Sequence, residues 1–148
     1  MKVRLAALVL MLAACGRGPS PEDRVREVIA AAETAAEARD LSEVMELVSD
    51  RYADLRGQDK AAIRDVMRGY FLINLSIHLL IRVDDIEFPG NDLANAHVTV
   101  GMLGRQDAGA DDWALAADVY EFHVRLLNED DEWRLVSAEW VRAGRERQ

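Results

Sequence analysis

Three things are scarce in this 148-residue chain. There is one cysteine, which excludes a disulfide scaffold and any paired-thiol zinc or redox site. Basic charge is in deficit, with 18 Lys+Arg against 27 Asp+Glu and a formal net charge of −9, so no surface here is built to neutralise many phosphates and nucleic acid is not an expected partner. Long apolar runs are missing too: the longest, Leu5 to Leu12, is about half of the roughly 20 residues that a spanning helix needs. The sequence also lacks Gly-x-Ser-x-Gly, a phosphate loop, Cys-x-x-Cys and His-Glu-x-x-His, which lowers the expectation of an enzyme without removing it. What remains is 50% hydrophobic and 30% charged, enough for one packed domain and unlike a disordered or collagenous chain.

The first fifteen residues have the layout of an export signal, with Lys2 and Arg4, the apolar run, and then small residues. Leu12-Ala13-Ala14-Cys15 resembles a bacterial lipobox. That resemblance implies cleavage before Cys15, a diacylglycerol on its thiol, and residues 15–20 as a short tether. Gly16, rather than Asp, after the cysteine favours the outer over the inner membrane in such lipoproteins. Loss of residues 1–14 removes Lys2 and Arg4 and leaves the chain two units more negative, so the acyl chains rather than the protein surface would make the membrane contact. The expected location is the periplasmic face of the envelope.

Ser20-Pro21-Glu22-Asp23 combines an N-cap serine, a proline suited to the first helical position and an acid three residues on. The helix it opens carries Val25, Val28, Ile29, Ala32, Ala35 and Ala36 on one stripe and is expected to run to about Arg39. Asp40 caps a second helix through Leu41, Val44, Met45 and Val48, expected to end near Tyr52. Asp59 opens a third, with Ile63, Val66, Met67, Tyr70 and Phe71 on one face.

From Leu75 the period becomes two. Leu75, Ile77, Leu79, Ile81 and Val83 alternate with polar residues, Pro89 to Asp92 turns the chain, and Ala94, Ala96, Val98, Val100 and Met102 form the next apolar face. A loop is expected from Gly104 to Asp112. A third strand follows with Ala116, Asp118, Tyr120, Phe122, Val124 and Leu126 on one side, then a hairpin at Asn128 to Glu132 and a last strand, Trp133 to Val141, whose face is ambiguous. Helices first and an antiparallel meander second define an α+β domain over residues 21–142, three helices packed on a curved four-stranded sheet, followed by a charged tail at 143–148.

This order of elements, with Asp59-Lys60-Ala61-Ala62-Ile63-Arg64 leading the third helix and Glu132-Trp133-Arg134-Leu135-Val136-Ser137-Ala138-Glu139-Trp140 closing the chain, resembles the nuclear transport factor two-like family. The resemblance implies the cystatin-like cone shared with SnoaL-type cyclases and ketosteroid isomerases, in which a curved sheet and the helices enclose a conical pocket. It carries no catalytic set residue by residue, because the family's functions are many. Tyr52, Tyr70, Phe71, Trp113, Tyr120, Phe122 and Trp133 are the candidate pocket aromatics, and the same residues could equally fill a small core.

Asp118 is the one acid on an otherwise apolar strand face, with Tyr120 two residues on. Desolvated, it could serve as general acid or base with the tyrosine hydroxyl as an oxyanion donor; at a strand start it could equally be a solvated rim residue. His78, His97 and His123 all fall on the polar face. If the turn near Gly90 pairs residues whose numbers sum to about 181, His97 stands opposite Asp84, as a pH-sensing pair, and His78 opposite Leu103, roughly 20 Å away. His123 counts nearer Leu93 than His97. No metal site and no cofactor are expected. The reading is a lipid-anchored, non-catalytic module for a small apolar ligand or a protein partner, with the sheet face bearing Glu121, His123 and Arg125 as a surface for a second copy; the alternatives are a pocket enzyme using Asp118 and a structural envelope component.

Overall fold

The structure is a computed structural model that describes residues 18–106 and 115–144. Three helices, α1 (Pro21–Glu37), α2 (Leu41–Glu46) and α3 (Lys60–Ile73), precede four strands, β1 (Asn74–Gly90), β2 (Leu93–Gln106), β3 (Leu115–Glu129) and β4 (Glu132–Arg142). The strands pair antiparallel in the order β1-β2-β3-β4, an open meander. The expected α+β architecture is the observed one.

Local chemistry sets the helix starts. Ser20 Oγ accepts from Asp23 N at 3.1 Å while the Asp23 carboxylate accepts from Ser20 N at 2.9 Å, closing a capping box. The Ser20 hydroxyl, donating to the same carboxylate at 2.7 Å, and after it Ser20 N hold the Asp23 carboxyl below its ordinary range. Asp40 and Asp59 cap α2 and α3 by accepting from Glu43 N and Ala62 N. Helix α2 stops six residues earlier than the hydrophobic spacing suggested, because the chain leaves it to cover an exposed sheet edge. Leu135 N donates to Leu47 O at 2.8 Å, Ser49 N to Leu135 O at 2.9 Å, and Ala53 N to Val136 O at 3.0 Å. Residues 47–53 thus satisfy backbone groups that β4 would otherwise leave open.

The helices lie on the concave face of the sheet. Near the β3–β4 hairpin the space is sealed: Val25 and Ala94 are fully buried, with Leu126 1% and Trp133 5% exposed beside them. The hairpin turns at Asp130 and Asp131, both with positive φ (53° and 67°), a two-residue turn matched to strand twist, and both residues are exposed as expected of a hairpin tip. A second cluster, Met45, Val48, Tyr52, Ile63 and Ala138, joins α2 and α3 to β4. Ala96, Val98 and Val100 carry the core along the middle of β2.

Two bulges set which residues face inward. Paired positions on β1 and β2 sum to 181 from Ser76↔Arg105 to Val83↔Val98, but beyond the irregularity between Val83 and Asp85 the pairs are Asp85↔His97 and Ile86↔Ala96. Asp84 is the extra residue, and inward positions change from Val83 to Ile86 across it. His97 therefore stands opposite Asp85, not Asp84, and in place of the expected His97–Asp84 pair Asp84 accepts from the Thr99 hydroxyl at 2.6 Å and from Arg82 Nε at 2.5 Å. These bonds hold the Asp84 carboxyl below its usual range, the Thr99 bond most. On β4, Leu126 pairs with Leu135 and Arg125 with Ser137, so Val136 is extra and the inward set passes from Trp133 and Leu135 to Ala138 and Trp140.

The β2–β3 register also departs from the count made on sequence. His123 pairs directly with His97, not near Leu93, because β2 continues through Gln106 where a loop was expected from Gly104. The remainder of that expected loop, Trp113, and Cys15 with the whole N-terminal signal lie outside the described residues.

Candidate functional site

Opposite the sealed hairpin end, cross-strand rows carry different chemistry. One row on the concave face runs Leu79, Met102, Asp118, and the next Ile81, Val100, Tyr120, Arg142; then come Val83, Val98, Phe122 and Trp140. Helix α3 lays Tyr70 across them, its hydroxyl 3.7 Å from Met102 Sδ. Burial, and after it the nearby Tyr120 and Asp118, push the Tyr70 hydroxyl above its ordinary pKa, so it remains a neutral donor.

Aromatic faces continue from there. The Tyr120 and Phe122 ring centroids are 6.4 Å apart, and Trp140 stacks on Phe122 at 6.0 Å with 23° between planes. Arg56, from the loop before α3, places its guanidinium carbon 4.0 Å above the Trp140 ring and donates to Trp140 O at 3.1 Å. Arg142 pairs with Asp118; their side chains are 48% and 28% exposed. Asp118 is thus a rim residue with a compensated charge, not an isolated desolvated carboxylate.

Of the residues singled out on sequence, the structure brings Tyr70, Asp118, Tyr120 and Phe122 to this mouth. It places three others elsewhere. Tyr52 is 3% exposed inside the α2–α3–β4 cluster, where burial and then Asp54 push its hydroxyl up to about 12. Phe71 is 6% exposed in the core. Trp133 packs edge-on against Phe88, ring centroids 5.9 Å apart, at the sealed end. Those three belong to packing, and Trp113 is outside the described residues.

Sequence reasoning missed Met102 as a site residue, together with Trp140, Arg142 and Arg56. The first three project inward by strand alternation, but only the extra residue at Val136 puts Trp140 and Arg142 in phase with Tyr120 and Phe122. Arg56 sits in irregular chain, where no periodicity announces it.

A concavity of about 880 Å³ opens between α1, α2, the start of α3 and the β3–β4 hairpin. Arg24, Glu27, Glu46, Asp50, Lys60 and Arg134 are among its walls. Two ion pairs lie in it, Lys60 Nζ 2.8 Å from Asp50 and Arg134 Nη2 2.5 Å from Glu132. Among the described residues no three His, Cys, Asp or Glu side chains converge to hold a metal, and no helix is long and apolar enough to cross a membrane.

No protein-family model and no curated protein matches this sequence. Solved structures do match. A candidate scytalone dehydratase from Novosphingobium aromaticivorans is 11% identical with a TM-score of 0.70, over 81% of this chain and 82% of that one. A ketosteroid isomerase-like protein from Erwinia carotovora atroseptica is 12% identical with a TM-score of 0.67, over 82% and 95%. A hexachlorocyclohexane dehydrochlorinase is 10% identical, also at 0.67, over 82% and 84%. Identities this low speak to architecture alone, and the three names record different chemistries. By its element order, its open curved sheet and these superpositions, the chain has the nuclear transport factor two-like cone fold.

Proposed function

We propose that the protein is a lipid-anchored periplasmic module that holds a small, mostly apolar molecule at the mouth of the cone without transforming it. The observation that carries this reading is the asymmetry of the concave face. Fully buried side chains fill the hairpin end, while Tyr70, Tyr120, Phe122 and Trp140 stay half-buried at the other, beside the Asp118–Arg142 pair. Aromatic walls with few polar groups suit an apolar body carrying one polar substituent, oriented by the tyrosine hydroxyls and the Asp118–Arg142 pair. The Cys15 tetrad supports the anchor, and the outer sheet face, where Leu80, Val119 and Val141 are exposed, suits a second copy or another protein.

Native mass spectrometry of protein purified gently from its own envelope tests this. The expected result is a reproducible adduct above the chain mass that diminishes in Tyr70→Ala and Trp140→Ala; bare chain in every preparation, with no saturable uptake of a fluorescent apolar probe, refutes it.

A second reading rests on Asp118 standing beside two tyrosines in a fold whose matched structures include a dehydrochlorinase and an isomerase-like protein. There Asp118 would move a proton once a substrate displaced Arg142 from it. Conversion of the co-purified ligand by the wild-type chain but not by Asp118→Asn would establish that reading; unchanged ligand after prolonged incubation favours the binding module.

A further inference from the structure

The observed register aligns four ionisable side chains across the whole outer face of the sheet: Asp85 on β1, His97 on β2, His123 on β3 and Glu139 on β4 stand in one cross-strand row. The two imidazoles are exposed, lie edge to face, and have ring centroids 4.2 Å apart. Neither makes a hydrogen bond among the described residues, so their nitrogen lone pairs are not committed to the protein.

That spacing can be compared with what a shared ion requires. A metal–imidazole nitrogen bond of roughly 2.0–2.1 Å puts the ring centroid about 3.2 Å from the ion. Two rings in adjacent positions at about 90°, as tetragonal Cu(II) and Ni(II) prefer, then have centroids about 4.5 Å apart. Two rings at a tetrahedral angle stand about 5.2 Å apart, further from the observed value. Directly opposed residues on antiparallel strands have Cα atoms about 4.5–5.5 Å apart, a distance the ladder fixes, so side-chain rotation alone completes the chelate.

We propose that His97 and His123 form a two-imidazole binding site for a divalent cation of tetragonal preference, Cu(II) first by the general affinity order, with water in the remaining positions. Acidic residues at both ends of the row and the net charge of −9 favour a cation there. The Glu139 carboxylate already accepts from Leu55 N at 2.7 Å, so exposed Asp85 is the better placed to turn toward the ion. The expectation of no metal site rested on a register that separated these two histidines, and the observed register pairs them.

Titration of the full-length chain in detergent with copper(II) sulfate, followed by electron paramagnetic resonance and calorimetry, tests the site. Expected are one ion per chain, a tetragonal spectrum with splitting from two equivalent nitrogens, and affinity lowered about tenfold or more in His97→Ala and in His123→Ala. His78→Ala, which removes the isolated histidine of the same face, is expected to leave binding unchanged. One-nitrogen coupling, equal loss in His78→Ala, or tight binding that survives the His97→Ala/His123→Ala double variant would overturn the proposal. The spectrum of the wild-type chain decides independently of how any variant folds.

Discussion

Whether the cone is sealed at its hairpin end can be decided by truncating Leu126. The side chain is 1% exposed and packs with Val25, Ala94 and Trp133, contributed by α1, β2 and β4. Leu126→Ala removes three carbons, about 2.4 kcal/mol at roughly 0.8 kcal/mol per buried methylene. The neighbours are held by a helix and by strands on both sides of β3, so the space left cannot collapse fully and a cavity penalty adds to the transfer loss. A total of about 3–4 kcal/mol is expected, inside the roughly 2–5 kcal/mol found for buried leucines. Against a domain stability of about 5–15 kcal/mol, the fold survives but is weakened. Urea unfolding read by circular dichroism and by tryptophan fluorescence should show the midpoint falling by about 2 M, taking a slope of about 1.5–2 kcal/mol per molar. Val141→Ala, at a side chain 54% exposed, is the control and should change stability by under about 0.5 kcal/mol. A loss under about 1 kcal/mol for Leu126→Ala would refute the sealed end and, with it, the assignment of a single mouth.

Ser20→Ala opens the capping box of α1 and should cost about 1 kcal/mol, measured by the same unfolding curve. Tyr52 holds its proton to about 12 in the folded chain against the ordinary 10.0, so the unfolded chain releases its proton first. Its contribution to stability is complete below pH 10 and is lost as pH rises from 10 to 12; Tyr52→Phe should flatten the alkaline limb of the stability profile, and an unaltered limb would place the hydroxyl in water. Cys15→Ser should abolish incorporation of labelled fatty acid and release the protein from the membrane fraction, whereas continued sedimentation with membranes would contradict lipid attachment through that thiol.

The parts of this structure written in local chemistry are legible in the sequence, and those that depend on a count across a gap are not. Ser20, Asp40 and Asp59 announce their helices because each cap is a contact three residues long. The part of the β1–β2 ladder far from the turn, Ser76 to Val83, follows the count made on sequence, whereas the part beside the turn does not, because irregularities at Asp84 and again between Glu87 and Gly90 change the count without altering composition. The β2–β3 ladder is miscounted because β2 runs on through Gln106. The mouth is half legible: alternation marks Asp118, Tyr120 and Phe122, while Trp140 and Arg142 require knowing that Val136 is extra, and Arg56 arrives from irregular chain.

The polarity of α1 gives the molecule a direction. Pro19 lines the same concavity as Asp131 and Trp133 of the hairpin end, whereas Glu37, at the far end of the helix, accepts from Leu79 N in the row that also holds Met102 and Asp118. A 17-residue helix advances about 25 Å, and the five residue steps from Cys15 to Ser20 span at most about 18 Å. A chain fastened at Cys15 would present its closed end to the bilayer and its opening to the aqueous space beyond. Exchange of a bound molecule would then take place with soluble carriers or neighbouring proteins rather than with the lipid leaflet beneath.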